Sequence, residues 1–108
     1  MTVPTIAAAQ VTDDAFLLDV REPDEWTAGH PPNAYHVPMM EIPGRATEIP
    51  DDREVVVVCR VGARSAQVVA YLRQRGFGNV YNLDGGMHAW AAAGRPIIGA
   101  DGSAGEVI

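Results

Sequence analysis

The sequence predicts a three-layer α/β domain, with a mainly parallel central sheet of about five strands and helices on both faces. Three observations carry this. Short aliphatic runs alternate with helical patterns along most of the chain. The purest run, Val55-Val56-Val57-Val58, is apolar without alternation, as suits a strand covered on both faces of a parallel sheet. No repeat or linker divides the 108 residues, which suffice for one core but not for two. Residues 1–98 therefore read as a single domain and 99–108 as a tail.

Taken in order, Phe16-Leu17-Leu18-Asp19-Val20 is a short strand of buried type. Pro23-Asp24-Glu25-Trp26 starts a helix, with proline in the first turn and acids at the positive end of the helix dipole. Gly29-His30-Pro31-Pro32-Asn33 ends it, and Ala34-Tyr35-His36-Val37 forms a weaker strand before Pro38. Between Met39 and Ile49, Pro43-Gly44 is expected to separate a turn from a short helix. After Val55–Val58, the span 63–75 is the most convincing helix. Val68, Val69 and Leu72 make its apolar stripe, Arg73 and Arg75 suit its negative end, and Gly76 suits its C-cap. Val80-Tyr81-Asn82-Leu83 is the next strand, and Asp84-Gly85-Gly86 leads into a short helix from Met87 to Ala93, closed by Gly94. Beyond Pro96-Ile97-Ile98 the chain shows no periodicity, so 99–108 is expected to be mobile.

The formal net charge of −6 argues against nucleic acid or a membrane surface as partner. No run approaches the roughly 20 apolar residues that span a bilayer. Met1-Thr2-Val3-Pro4-Thr5 carries no basic side chain ahead of the short Ile6-Ala7-Ala8-Ala9, a poor secretory leader, so the expected location is cytoplasmic. One cysteine, Cys59, cannot form an internal disulfide and suits a reducing compartment. With His30, His36 and His88 scattered around a single cysteine there is no metal-ligand spacing, and neither metal nor cofactor is expected. All eight basic residues are arginines, and two of them, Arg60 and Arg64, lie within five residues of Cys59. A basic spot around the thiol of an acidic protein suits a small anion.

The segment Cys59-Arg60-Val61-Gly62-Ala63-Arg64-Ser65 is where the chemistry concentrates. A strand delivers the sulfur to the carboxyl edge of the sheet, where open parallel sheets bind ligands. Gly62 permits a tight curl whose backbone N–H groups converge as an anion cradle. A helix beginning at Ala63 to Ser65 adds the positive end of its dipole, which favours a thiolate over a thiol. Arg60 is expected to steer or hold an anion, Arg64 to stiffen the loop by pairing with an acid, and Ser65 to cap the helix, its hydroxyl also within reach of the anion. Asp19, Arg21, Glu25 and His30 form a polar set expected to anchor the segment after the second strand rather than to catalyse. Trp26 and Trp90 are expected in the core.

Three segments together resemble the rhodanese, or sulfurtransferase, family in its small single-domain form, over roughly Ile6 to Pro96. They are Leu18-Asp19-Val20-Arg21-Glu22-Pro23-Asp24-Glu25-Trp26 with Gly29-His30, the Cys59–Ser65 loop, and Leu83-Asp84-Gly85-Gly86-Met87-His88-Ala89-Trp90. The resemblance implies a rhodanese-like fold and a ping-pong reaction through a Cys59 persulfide. A small anionic donor such as thiosulfate would load the sulfur. Cyanide, a small thiol or a protein thiol, including one on a thioredoxin-like protein, would remove it. Gly29-His30-Pro31-Pro32-Asn33-Ala34 departs from the family's usual Gly-His-Ile-x-Gly-Ala and should reshape that turn. The loop also lacks the Gly-Val-Thr-type ending of mercaptopyruvate enzymes, so thiosulfate or a protein persulfide is the expected donor.

Two other functions compete. A cysteine phosphatase or arsenate reductase would use a similar cradle, but phosphatases need Cys-x5-Arg. Here Arg64 comes one residue early, Ser65 takes the arginine's place, and Val58 rather than histidine precedes the cysteine. A sulfur carrier or regulatory binding module with little turnover is the other alternative, since folds outlive their activities.

Overall fold

The computed structural model describes residues 3–108. Five strands form one sheet: β1 (Thr5–Ile6), β2 (Phe16–Asp19), β3 (Tyr35–His36), β4 (Val55–Val58) and β5 (Val80–Leu83). All pairings are parallel, and the order across the sheet is β1-β5-β4-β2-β3. The α-helices are α1 (Pro23–Ala28), α2 (Ile42–Arg45), α3 (Ala63–Gln74) and α4 (Gly86–Ala92).

β4 lies in the middle, and its four valines are fully buried. Alternate side chains leave a strand on opposite faces, and the core divides accordingly. Val55, Val57 and Cys59 pack with Val68, Val69 and Leu72 of α3 and with Ile42 of α2. Val56 and Val58 pack with Met87 and Trp90 of α4 and with Ala8 and Val11. Helices therefore cover both faces, as the uninterrupted valine run requires. α3 ends in a Schellman motif: Gly76 N–H donates to Arg73 O and Phe77 N–H to Leu72 O, while Phe77 packs against the cluster containing Leu72.

Several elements differ from expectation. Pro43 and Gly44 do not separate a turn from a helix. They sit inside α2, in a run of three short helical turns spanning 39–48, because proline is acceptable in a helix's first turn. β1 has only two residues, too few for a periodic signal, and is held by its ladder to β5. Asn33, in the turn where the chain departs from the pattern it resembles, adopts φ 66°, a left-handed conformation that asparagine tolerates better than most residues. The tail is folded back. Ile98 bridges both His30 and Ala104, Glu106 N–H donates to Ala28 O, and Val107 packs against the α4 face of the core.

The topology places the site. From β2 the chain passes through α1 to β3 on one side, and from β4 through α3 to β5 on the other. The loops after these two adjacent strands leave in opposite directions, and a crevice opens at the carboxyl edge between them. Cys59 stands there. No helix among the described residues is long and apolar enough to cross a membrane.

Candidate active site

Cys59 follows β4 directly and is 1% exposed. Its Sγ accepts a hydrogen bond from Gly62 N–H at 3.0 Å and lies 3.2 Å from Ser65 Oγ. The loop can close this tightly because Gly62 has φ 110°, a region closed to most side chains.

The carbonyls of the loop are held from behind. Met87 N–H, in the first turn of α4, donates to Cys59 O at 2.8 Å, and His88 N–H donates to Arg60 O at 3.1 Å. A trans peptide sets its N–H opposite its C=O. Turning these two carbonyls toward α4 therefore turns the N–H groups of Arg60 and Val61 the other way, and neither is bonded to another backbone group among the described residues. At the start of α3 the first intrahelical bond is Ala66 N–H to Gly62 O, which leaves the orphan amides of the helix's first turn facing the same region. Gly86 makes the close approach of α4 possible. A Cβ there would lie 2.4 Å from Cys59 O and 2.7 Å from the Arg60 carbonyl carbon. In the sequence Gly86 stands only as part of a signature, because this role depends on a contact across 27 positions of chain.

The two loop arginines do different work. Arg64 makes a two-pronged ion pair with Glu25 of α1, Nη1 to Oε1 at 2.7 Å and Nη2 to Oε2 at 2.8 Å. Those bonds hold the Glu25 carboxyl down to about 2, against a smaller opposing effect of burial, and Glu25 in turn raises Arg64. Arg60 is exposed, and its Nε donates to Ile108 O at 2.7 Å, so the tail reaches the mouth of the loop. Val61 is half exposed at the same mouth, whereas Ala63 contributes backbone at the start of α3.

Ser65 is not the cap of α3. The N-cap is Gly62, and Ser65 stands three residues inside, fully buried, with its hydroxyl turned toward Cys59, Gly62 O and Asn82 of β5. A serine near a helix start suggests a cap by frequency alone, and only the position of Gly62 decides otherwise.

Behind the crevice, Asp19 and Arg21 form a wholly buried ion pair. Arg21 Nε and Nη2 meet the carboxylate at 2.8 to 3.1 Å, and Nη2 also donates to Gly29 O at 2.7 Å. His30 Nδ1 bonds Trp26 O and His36 Nε2 bonds Arg21 O, so both nitrogens carry the proton, since a carbonyl can only accept. Trp90 is in the core, but Trp26 is not. It is half-buried and stacks on the His30 ring at 3.5 Å and on the His36 ring at 4.7 Å. No cluster of three or more His, Cys, Asp or Glu side chains suited to a metal ion occurs among the described residues.

Comparison with known proteins agrees with this architecture. The profile of the rhodanese-like domain family matches residues 3–93. A sulfurtransferase of Allochromatium vinosum is 52% identical over 91 residues, covering 84% of this chain and 85% of its own. Among solved structures, a rhodanese-related protein from Thermoplasma volcanium has a TM-score of 0.82 and 32% identity, covering 88% of this chain and 97% of its own. A rhodanese-like domain protein from Staphylococcus aureus has a TM-score of 0.74 and 33% identity, covering 81% and 90%.

Proposed function

The chain belongs to the rhodanese-like domain family of sulfurtransferases, and from that premise we propose that Cys59 carries a sulfane sulfur from thiosulfate or a protein persulfide to a thiophilic acceptor. The observation that carries this reading is the Gly62 N–H bond to Cys59 Sγ, in a loop whose Arg60 and Val61 amides have no backbone partner among the described residues and which leads straight into the first turn of α3.

With thiosulfate as donor, the Cys59 thiolate attacks the outer sulfur and the S–S bond of thiosulfate breaks. Its electron pair leaves on sulfite, and the enzyme keeps Cys59–S–S⁻. In the second half-reaction cyanide or a thiolate attacks the terminal sulfur, forming thiocyanate or a new persulfide and returning the Cys59 thiolate. Neither step needs a general base once the thiolate exists, which suits a site whose acids are committed to arginines. The charge stays near the cradle throughout, and preorganised backbone donors stabilise it without reorganising. Arg60 steers the dianionic donor and retains the departing sulfite. Arg64 is spent on Glu25, which leaves it unsuited to the tetrahedral anion of a phosphatase.

No second cysteine exists in the chain to resolve a persulfide, so discharge is intermolecular. The location is proposed to be cytoplasmic, where acceptor thiols are abundant. Intact mass spectrometry after thiosulfate treatment tests the reading. Wild type should gain one sulfur atom, removable by reductant, and Cys59→Ser should gain none. An unchanged wild-type mass with every candidate donor would overturn it.

A further inference from the structure

Asn82 lies inside β5 with its side chain buried, where an amide is a poor strand former. It meets Ser65, whose Oγ is 2.5 Å from Asn82 Oδ1, 3.2 Å from Cys59 Sγ and 3.2 Å from Gly62 O. A hydroxyl has one proton to donate, so Ser65 cannot serve all three.

The proton count differs between the two states of the sulfur. In the thiol, Cys59 S–H donates to Ser65 Oγ and the Ser65 hydroxyl donates to Asn82 Oδ1. The chain of bonds runs from sulfur to amide. An anionic sulfur, thiolate or persulfide, has no proton and needs donors. Gly62 N–H is one, and Ser65 becomes another by turning its proton to the sulfur. That leaves two proton-free oxygens facing each other at the Ser65–Asn82 contact. A half-turn of the amide relieves the conflict, because Nδ2 then donates to Ser65 Oγ. This torsion is soft and roughly two-fold, and Nδ2 now lies near Gly62, 3.8 Å from where a Cβ on that residue would stand.

We propose that Asn82 is a positioning residue for the reactive sulfur: its reversible amide lets Ser65 accept a hydrogen bond from the thiol and donate one to the sulfur anion. No atom is transferred along the chain. The thiol proton leaves to water, while Ser65 keeps its own proton and turns. An acceptor-only side chain can end this chain in one direction but not in the other. The inference rests on Cys59 being the nucleophile, and its test uses no sulfur donor, so a failure of sulfur transfer and a failure of the relay are separable.

Two measurements decide it. In side-chain amide NMR of wild type between pH 5 and 9, one Asn82 Nδ2 proton should move downfield as the sulfur ionises. The movement should vanish in Ser65→Ala and in Cys59→Ser, the latter also removing any contribution of the histidines from the assignment. Alkylation by iodoacetamide at pH 7 should be about tenfold slower in Asn82→Asp, the loss of one hydrogen bond to a charged group. On a Ser65→Ala background the same substitution should cost less than about twofold, since its route to the sulfur is gone. Equal slowing with and without Ser65 would mean that the new charge acts through space, and would overturn the relay. So would a wild-type amide that does not respond. If Asn82→Asp does not fold, the wild-type amide response decides alone.

Discussion

The loops after β2 and β4 start from neighbouring strands in the same register, with Asp19 beside Val58, yet they spend their polar groups in opposite ways. After β2, a carboxylate and a guanidinium are wholly buried and bonded to each other and to Gly29 O. After β4, the Gly62 amide donates to a sulfur, the Arg60 and Val61 amides have no backbone partner among the described residues, and the adjoining arginine is committed elsewhere. The first arrangement sets its opposite charges against each other, with Arg21 Nη1 the one buried side-chain donor left without a partner among the described residues. The second keeps donors unanswered until an anion arrives. A buried charged pair thus marks the scaffold here, and a buried near-neutral cradle marks the chemistry.

The sharpest way to break that contrast is Asp19→Ala. It leaves Arg21, fully buried, without its carboxylate, and such losses cost about 3–5 kcal/mol, a large share of a small domain's stability. Urea unfolding should show the midpoint falling accordingly. A loss below about 1 kcal/mol would mean that the pair contributes little and that the two loops differ less than their geometry suggests.

That contrast was partly legible in the sequence. The four valines, the apolar stripe of α3 and the Cys59–Ser65 spacing give the central strand, the central helix and the nucleophile, because each is a local pattern. Arg64 was expected to pair with an acid, but nothing in its neighbourhood names Glu25, 39 residues earlier. Ser65 read as a cap because its type favours helix starts, and Asn82 read as an ordinary strand residue. Their meeting depends on α3 packing over β5. Trp26 looked like core because of its size, whereas it stacks on two histidine rings. The tail lacks any period, and its contacts with Ala28, Ile98 and Arg60 are made by backbone groups, which side-chain patterns do not report.

Between the two loops stands the Glu25–Arg64 pair, the strut that joins scaffold to cradle. Glu25 is 13% exposed and Arg64 31%, so the pair is neither dry nor free. Glu25→Gln should destabilise by about 1 kcal/mol, near the upper end for pairs in contact with water. The pH dependence has a definite sign. The Glu25 carboxyl is lowered from 4.5 to about 2 by its bonds to Arg64, so its stabilisation is complete above about pH 4.5 and is lost as the pH falls toward 2. The stability gap between wild type and Glu25→Gln should therefore be flat from pH 5 to 7 and close in acid. A gap that widened in acid would show that the pair is not its source.

Arg60 gives the smallest structural effect and the cleanest division between the two kinds of loop residue. Its guanidinium belongs to an exposed residue and makes one hydrogen bond among the described residues, through Nε to Ile108 O. Arg60→Gln should change stability by less than about 0.5 kcal/mol, as for most surface substitutions. If its charge gathers the donor, the same substitution should raise the KM for thiosulfate several-fold and leave kcat nearly unchanged, since attraction made equally in the ground and transition states acts on binding alone. Salt should erode the wild-type advantage, because exposed charges are screened. A loss of stability as large as that of Glu25→Gln, with KM unchanged, would instead make Arg60 a second strut, one that fastens the tail across the crevice.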